Sequence, residues 1–142
     1  MTSSASTAAR GIRPASLVAG IALALMAVLA GVANFAVITP LVTPGDASAT
    51  ATAIAASEPL FRGAIAMLVV VVLLDLIVAA ALRTVFASVN AALSSAAGWF
   101  RVAYSAVFLV AIAQLAIAVT QLDTPDAALA SITAFTTIWH VS

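Results

Sequence analysis

The chain has 142 residues, of which 65% are hydrophobic and only 7% are charged, and its formal net charge is zero. A soluble domain carries roughly a quarter charged residues, so this composition predicts a protein that lies in a lipid bilayer. The chain contains no cysteine, no lysine and a single histidine, which excludes disulfides, thiolate metal sites and histidine-rich metal centres. We therefore expect no cofactor and no bound metal. Without a basic run, the sequence gives no indication of nucleic-acid binding.

The first fifteen residues are rich in serine, alanine and threonine, and they predict a disordered tail over residues 1–15. Residues 16–38 are almost entirely apolar and predict the first transmembrane helix. A cleaved signal peptide is the alternative, because Arg10 and Arg13 precede an apolar run with small residues near its end. The length of the run and the further spans after it favour an uncleaved helix.

Residues 39–62 form a polar connection in which prolines and a glycine predict turns. Asp46 is expected to cap a short helix over residues 47–57, because a carboxylate accepts hydrogen bonds from the free N–H groups of a first turn. Ile54 is the only large apolar residue of that helix, so the helix is predicted to lie at the surface. Ser57 is predicted to cap the next helix.

Arg62 and Arg83 flank the second predicted span, residues 64–82, which is apolar except for one residue. That residue is Asp75, close to the middle of the span. A carboxylate at mid-membrane is energetically costly, so it usually faces a partner or a cavity.

Residues 90–122 contain no proline, which is consistent with one long helix or with a surface turn followed by a span over residues 98–122. The last apolar segment, residues 127–141, would be roughly 22 Å long as a helix, which is too short to cross a bilayer comfortably. We therefore predict an all-α fold. It is a multi-pass transmembrane bundle with three full spans and a partial fourth helix, forming a single domain over residues 16–142.

The placement of arginines predicts the orientation in the membrane. Arg10 and Arg13 precede the first span and Arg83 lies between the second and third, whereas the other connections are acidic, with Arg62 as the one exception. The N-terminus is therefore predicted to be cytoplasmic and residues 39–62 extracytoplasmic. A chain rich in alanine, valine and leucine without lysine is typical of a GC-rich bacterial genome, which points to a bacterial inner membrane.

Several segments of the chain together carry a family resemblance. They are Pro44-Gly45-Asp46, residues 56–62 (ASEPLFR), Asp75 in the second span, Val89-Asn90, and residues 97–101 (AGWFR) with Tyr104. On these segments the chain resembles the family known as domain of unknown function 4386, which consists of prokaryotic multi-pass membrane proteins. The resemblance implies a membrane fold and supplies no activity, substrate or catalytic residue. Family members continue past a completed fourth span, so the chain resembles their N-terminal part, and either further C-terminal spans or a homo-oligomer would complete it.

Asp75 and Arg101 are expected to form an ion pair inside the membrane. Asp75 lies eight residues before Arg83, roughly 12 Å along its helix, and Arg101 lies eleven residues after Asn90, roughly 16 Å along the next. Two antiparallel helices joined by a short loop would bring these residues to a similar depth. Pairing would neutralise two charges that are each costly alone.

Other polar residues extend this predicted cluster. Small and polar residues recur at spacings of three and four on one face of the third span, namely Asn90, Ser94, Gly98, Arg101 and Ser105. Tyr104 lies beside this face, and His140 would reach a similar depth if the last helix enters from the outside. The predicted intramembrane cluster therefore consists of Asp75, Arg101, Tyr104, Ser105 and His140. It has two interpretations: a structural clip between helices, or a site for proton transfer, ion passage or anion binding.

The sequence contains no nucleotide-binding loop, no hydrolase or metalloprotease motif, and no other catalytic signature. We therefore expect an integral membrane protein that has a binding, assembly or structural role rather than an enzymatic one, with the lipid bilayer as its first partner. The main alternative is a small transporter or channel subunit that uses Asp75 and Arg101. A lipid-modifying enzyme rests on the same polar cluster alone and ranks last.

Overall fold

The computed structural model of the protein describes residues 3–87 and 90–141, and it describes side chains for residues 14–87 and 90–140. Every regular element in the described part of the chain is helical, which confirms the all-α prediction. Three helical segments are long and apolar enough to cross a membrane: Pro14–Leu41, Glu58–Phe86 and Ala91–Thr120. The fold is therefore the predicted multi-pass helical bundle.

The helix that contains the first span begins earlier in the chain than the sequence predicts. Helix α1 covers Ser3–Gly31, so it includes most of the fifteen residues for which the sequence predicts a disordered tail. Its N-terminal part is rich in alanine, the residue with the highest intrinsic helix propensity, which the prediction from composition underestimates. The helix also contains Pro14, whose ring does not end it.

The end of the first span is a π-helical segment, Val32–Ile38, followed by the single turn α2, Thr39–Leu41. Pro40 accounts for the change in pitch, because in a regular α-helix its ring would clash with the carbonyl group four residues earlier. The wider π turn, with its bond from the Thr39 N–H to the Asn34 carbonyl, accommodates that ring. It also turns Asn34 towards the interior of the bundle, where this side chain is buried.

Helix α4 is the second span and covers Glu58–Phe86. Arg62 and Arg83 are 21 residues apart on it, about 31 Å along the axis, which matches a hydrocarbon core of roughly 30 Å. The predicted cap by Ser57 is wrong, since its side chain makes no capping hydrogen bond. Instead, a first-turn ion pair joins Glu58 Oε1 to Arg62 Nε at 2.7 Å.

Helix α5 is the third span and is continuous over Ala91–Thr120. Asn90 caps it, because its Oδ1 accepts a hydrogen bond from the Leu93 backbone N–H at 3.0 Å. Of the two predicted alternatives, one long helix is therefore correct and a separate surface turn before residue 98 is wrong.

The connection between the first two spans contains helix α3, Ala47–Ala56, and the last described helix is α6, Pro125–Val141. The predicted cap is confirmed, as Asp46 Oδ1 accepts a 2.8 Å bond from a backbone N–H in the first turn of α3. One face of this helix lies at the surface as predicted, with Ser48 and Thr52 exposed, but its other face is buried. Thr50 and Ile54 are both fully buried, because α3 packs against α6.

Helix α4 lies at the centre of the bundle, with α1 against one side and α5 against another, while α6 packs on α5 and α3. The largest fully buried side chains are Phe61 and Phe135, followed by Ile38, Ile54, Leu68, Leu115 and Ile132. The outward faces of the spans carry large exposed apolar residues, as expected for surfaces that contact lipid. Between these apolar surfaces, α4 also buries one charged residue, Asp75.

Candidate functional site

The centre of the site is the carboxylate of Asp75, a buried residue on the packed face of α4. The buried residues of that helix recur at spacings of three and four, and Asp75 falls in this series between Val72 and Val78. The helical period therefore places the charge inside the bundle rather than against lipid.

Both oxygens of the Asp75 carboxylate accept hydrogen bonds from α5. Arg101 Nε donates to Oδ1 at 2.6 Å, and Ser105 Oγ donates to Oδ2 at 2.6 Å. Arg101 and Ser105 are four residues apart, so they lie one above the other on the same helix face. The ion pair predicted from equal depth is thus present, and we call these three residues the clasp.

The clasp is asymmetric in its burial. The Asp75 side chain is 5% exposed, whereas the Arg101 side chain is 30% exposed. Within the described part of the chain, the Arg101 guanidinium makes one hydrogen bond, from Nε to Asp75. The two terminal amino groups of Arg101 therefore remain available for another acceptor.

The other two members of the predicted cluster do not bind the carboxylate. Tyr104 is half-exposed, and its ring stacks on Phe108 with 6.2 Å between centroids. His140 is exposed and lines neither of the cavities described below. Its neighbour Trp139 faces inward instead, against Phe108 and Phe135 at centroid distances of 5.6 Å and 5.9 Å.

The helical period explains the position of His140. The packed face of α6 includes Ala128, Ile132 and Phe135 and continues to Trp139 at the same spacing of three to four residues. The next residue along the helix is rotated by about 100°, away from that face. Equal depth alone was therefore insufficient to predict that His140 joins the cluster.

Arg83 belongs to the site although the sequence placed it only as a marker of orientation. Its side chain lies across α5 at Gly98, where an added Cβ would be 2.7 Å from Arg83 Cδ and 2.9 Å from Cγ. In addition, the Arg83 carbonyl accepts a 3.0 Å hydrogen bond from Ser94 Oγ. The sequence feature that indicates this contact is the series of small and polar residues on one face of α5, because small residues leave space for the arginine side chain.

Two cavities meet at the clasp and together form a groove along α4. The larger has a volume of about 770 Å³ and is partly open. Its charged and polar lining residues are Asp75, Arg83, Asn90, Ser94, Arg101 and Tyr104. The smaller, of about 250 Å³, continues past Asp75 towards Phe108 and Trp139. Both are lined by Met26 of α1 as well, so the groove lies between α1 and α5 with α4 as its floor.

The chemistry of the groove is that of a binding surface with a positive end. Two arginines and one aspartate line the larger cavity, which leaves a formal charge of +1, and most of the remaining wall is apolar. Among the described residues, no group of three or more histidine, cysteine or carboxylate side chains is placed to hold a metal ion. The arrangement can hold an anionic group near the arginines and apolar groups along the rest of the wall.

The fold and the site define a multi-pass membrane protein with a charged clasp between two spans. The chain belongs to the family described as Domain of unknown function (DUF4386), whose model matches residues 18–141. This confirms the resemblance seen in the sequence. The match runs from within α1 to the end of α6. No curated protein and no solved structure matches the chain.

Proposed function

We propose that this protein is an integral membrane binding or assembly component, in which the clasp fastens α4 to α5. The observation that supports this proposal is that both oxygens of Asp75 accept short hydrogen bonds from one neighbouring helix. A buried carboxylate with both oxygens bonded and its charge paired is stable as it stands. Such a residue holds helices together, whereas a proton carrier has to release its partners during each cycle.

We further propose that the protein lies in a bacterial inner membrane with its N-terminus in the cytoplasm. Support comes from the distribution of charge along the spans. Arg83 lies near the cytoplasmic end of α4 in this orientation. At the opposite side, Asp46 and Asp123 lie in the connections and Asp126 lies in the first turn of α6. This arrangement follows the general enrichment of basic residues in short cytoplasmic connections.

A small transporter or channel subunit is the second candidate function. One observation favours it, namely that Asp75 lines both cavities and therefore lies along the groove rather than at its end. A titratable group at that position could take part in the passage of a proton or a cation. Nothing in the site supports an enzymatic reaction in particular.

The experiment that separates these two functions is an exchange of the charges, Asp75→Arg combined with Arg101→Asp. Each single variant should unfold more readily than the wild type, because it leaves two like charges together between α4 and α5. The double variant should regain most of the lost stability if the role of the ion pair is to hold α4 and α5 together. The matched control is the same exchange at the chain's exposed pair, Glu58→Arg with Arg62→Glu, which should have little effect in any combination.

Proton and cation flux into proteoliposomes, followed with an internal dye, gives the functional readout. Our proposal expects no flux above that of empty vesicles for either the wild type or the double variant. Flux through the wild type that is lost in a folded double variant would replace our proposal with the transporter function.

A further inference from the structure

We propose that the larger cavity is a binding site for a phospholipid with an anionic headgroup. Arg83 would contact the phosphate, and the free amino groups of Arg101 would contact the ester oxygens beneath it. This inference rests on the proposed function as a binding component, and it specifies which class of ligand the protein binds.

The charges that line the cavity support an anionic ligand. Arg83 and Arg101 contribute two positive charges against the single negative charge of Asp75. Among the described residues, no carboxylate lies within ion-pair distance of Arg83, since the two ion pairs of this part of the chain involve Arg62 and Arg101. A phosphate is the kind of group that a guanidinium binds with two parallel hydrogen bonds.

The depths of the two arginines match the order of polar groups in a phospholipid. Arg83 lies three residues before the end of α4, at the edge of the apolar run. Its side chain reaches α5 at Gly98, and Arg101 lies three residues further along that helix, about 4.5 Å deeper. A lipid headgroup carries its phosphate at the surface and its ester oxygens deeper, so both polar parts meet a donor.

The apolar wall of the cavity favours a lipid over a soluble phosphate ester. Phe86, Leu93 and Phe100 line the cavity with exposed fractions of 51%, 69% and 78%. A small soluble ester would leave these side chains uncovered, whereas the acyl chains of a lipid would cover them and continue into the surrounding bilayer. The smaller cavity extends the apolar surface past the clasp, towards Phe108 and Trp139.

Gly98 gives Arg83 its position at this site. An added Cβ would be 2.7 Å from Arg83 Cδ, so any larger residue at position 98 has to displace the arginine side chain. Gly98 therefore acts as a positioning residue for the ligand, although it is too short to bind it. Helix α4 offers a matched control, because an added Cβ at Gly63 would meet nothing within 4 Å.

Native mass spectrometry of the full chain in detergent can test this inference, with phosphatidylglycerol and phosphatidylcholine of identical acyl chains as probes. We expect the wild type to bind phosphatidylglycerol about tenfold more tightly. Both lipids carry the phosphate, but the choline group of phosphatidylcholine would add a positive charge beside the two arginines. Arg83→Gln should remove most of this preference. Arg62→Gln removes an arginine from the opposite end of the same helix, and it should leave the preference unchanged.

Gly98→Ala should weaken the preference as Arg83→Gln does, while Gly63→Ala should not. Because alanine favours helix over glycine, the Gly98 variant is expected to fold at least as well as the wild type. A loss of lipid preference in a well-folded Gly98 variant would therefore identify a displaced arginine rather than a damaged bundle.

Four results would overturn the inference. Equal affinity for the two lipids would show that charge does not select the ligand, and equal losses in Arg83→Gln and Arg62→Gln would indicate a general surface effect. Full competition by free glycerol phosphate would assign the site to a soluble ester. A dimer that excludes lipid would assign the groove to a second copy of the chain. None of these results bears on whether the clasp fastens α4 to α5. The proposed function would fail in a different experiment, if ion flux were found to depend on the clasp.

Discussion

Asp75→Asn tests whether the clasp stabilises the bundle. The substitution keeps the volume of the side chain and removes its negative charge, so Arg101 loses its counter-ion and Ser105 loses an anionic acceptor. The asparagine oxygen can still accept one hydrogen bond. The change in stability therefore reports mainly on the charge of the pair rather than on packing.

The size of the expected effect follows from the burial of the two partners. Leaving one member of a fully buried ion pair without its partner costs about 3–5 kcal/mol. Arg101 is 30% exposed towards the cavity, where solvent or lipid headgroups can partly stabilise its charge, so the cost is smaller than this range. We expect Asp75→Asn to lower the free energy of unfolding by about 2 kcal/mol.

The intrinsic fluorescence of Trp139 can be used to follow unfolding. Trp139 packs against Phe108 and Phe135, so its emission should change when α6 separates from α5. Trp99 is 69% exposed and would add a background signal, which Trp99→Phe removes. Unfolding by increasing fractions of dodecyl sulfate in mixed micelles then gives the free energy of each variant.

Two comparisons make the result interpretable. Glu58→Gln removes a carboxylate from the exposed ion pair of α4 and should cost no more than about 0.5 kcal/mol. Arg101→Gln and the double variant complete a cycle with Asp75→Asn, and the coupling should exceed about 1 kcal/mol. If Asp75→Asn lowers the free energy of unfolding no more than Glu58→Gln does, or if the coupling energy is near zero, the clasp does not stabilise the bundle.

Three further outcomes are expected from other parts of the fold. Asp46→Ala should destabilise the protein by about 1 kcal/mol in the same unfolding assay, since it removes the side-chain cap of α3. Phe135→Ala should cost about 3 kcal/mol, because Phe135 is fully buried, and an unchanged free energy would contradict the packing of α6. Ser48→Cys and Ala87→Cys introduce the only thiols of the chain, and an impermeant maleimide added outside intact cells should label position 48 alone.

The spans and the clasp could be predicted from the sequence because they depend on local signals. A long apolar run predicts a membrane helix, and helical rise predicts the relative depth of two residues on neighbouring helices. For Asp75 and Arg101 these two rules were sufficient, since a mid-membrane carboxylate has few ways to be stable without a partner. The inclusion of His140 stays a prediction: its side chain is exposed, and depth does not determine which way a side chain points.

The burial of one face of α3 could not be predicted in the same way. Thr50 and Ile54 are fully buried against α6, a helix that begins about seventy residues later in the chain. The sequence of α3 has almost no amphipathic pattern, because alanine and threonine occupy nearly all of its positions. Thr50 contributes by another route, as its hydroxyl donates to the Asp46 carbonyl at 2.8 Å and accepts a bond from the Thr43 N–H at 3.0 Å.

The clasp also determines the register of α4 against α5. Apart from Asp75, the buried residues of α4 are mostly alanine, valine and leucine, which are apolar and similar in shape and so favour no single register strongly. A slide by one helical turn would move Arg101 and Ser105 about 5.4 Å from Asp75 and break both hydrogen bonds. A polar contact of this kind selects one register among several apolar alternatives. The same register brings Gly98 beneath Arg83, so the positive end of the groove depends on a charge pair that lies deeper in the membrane.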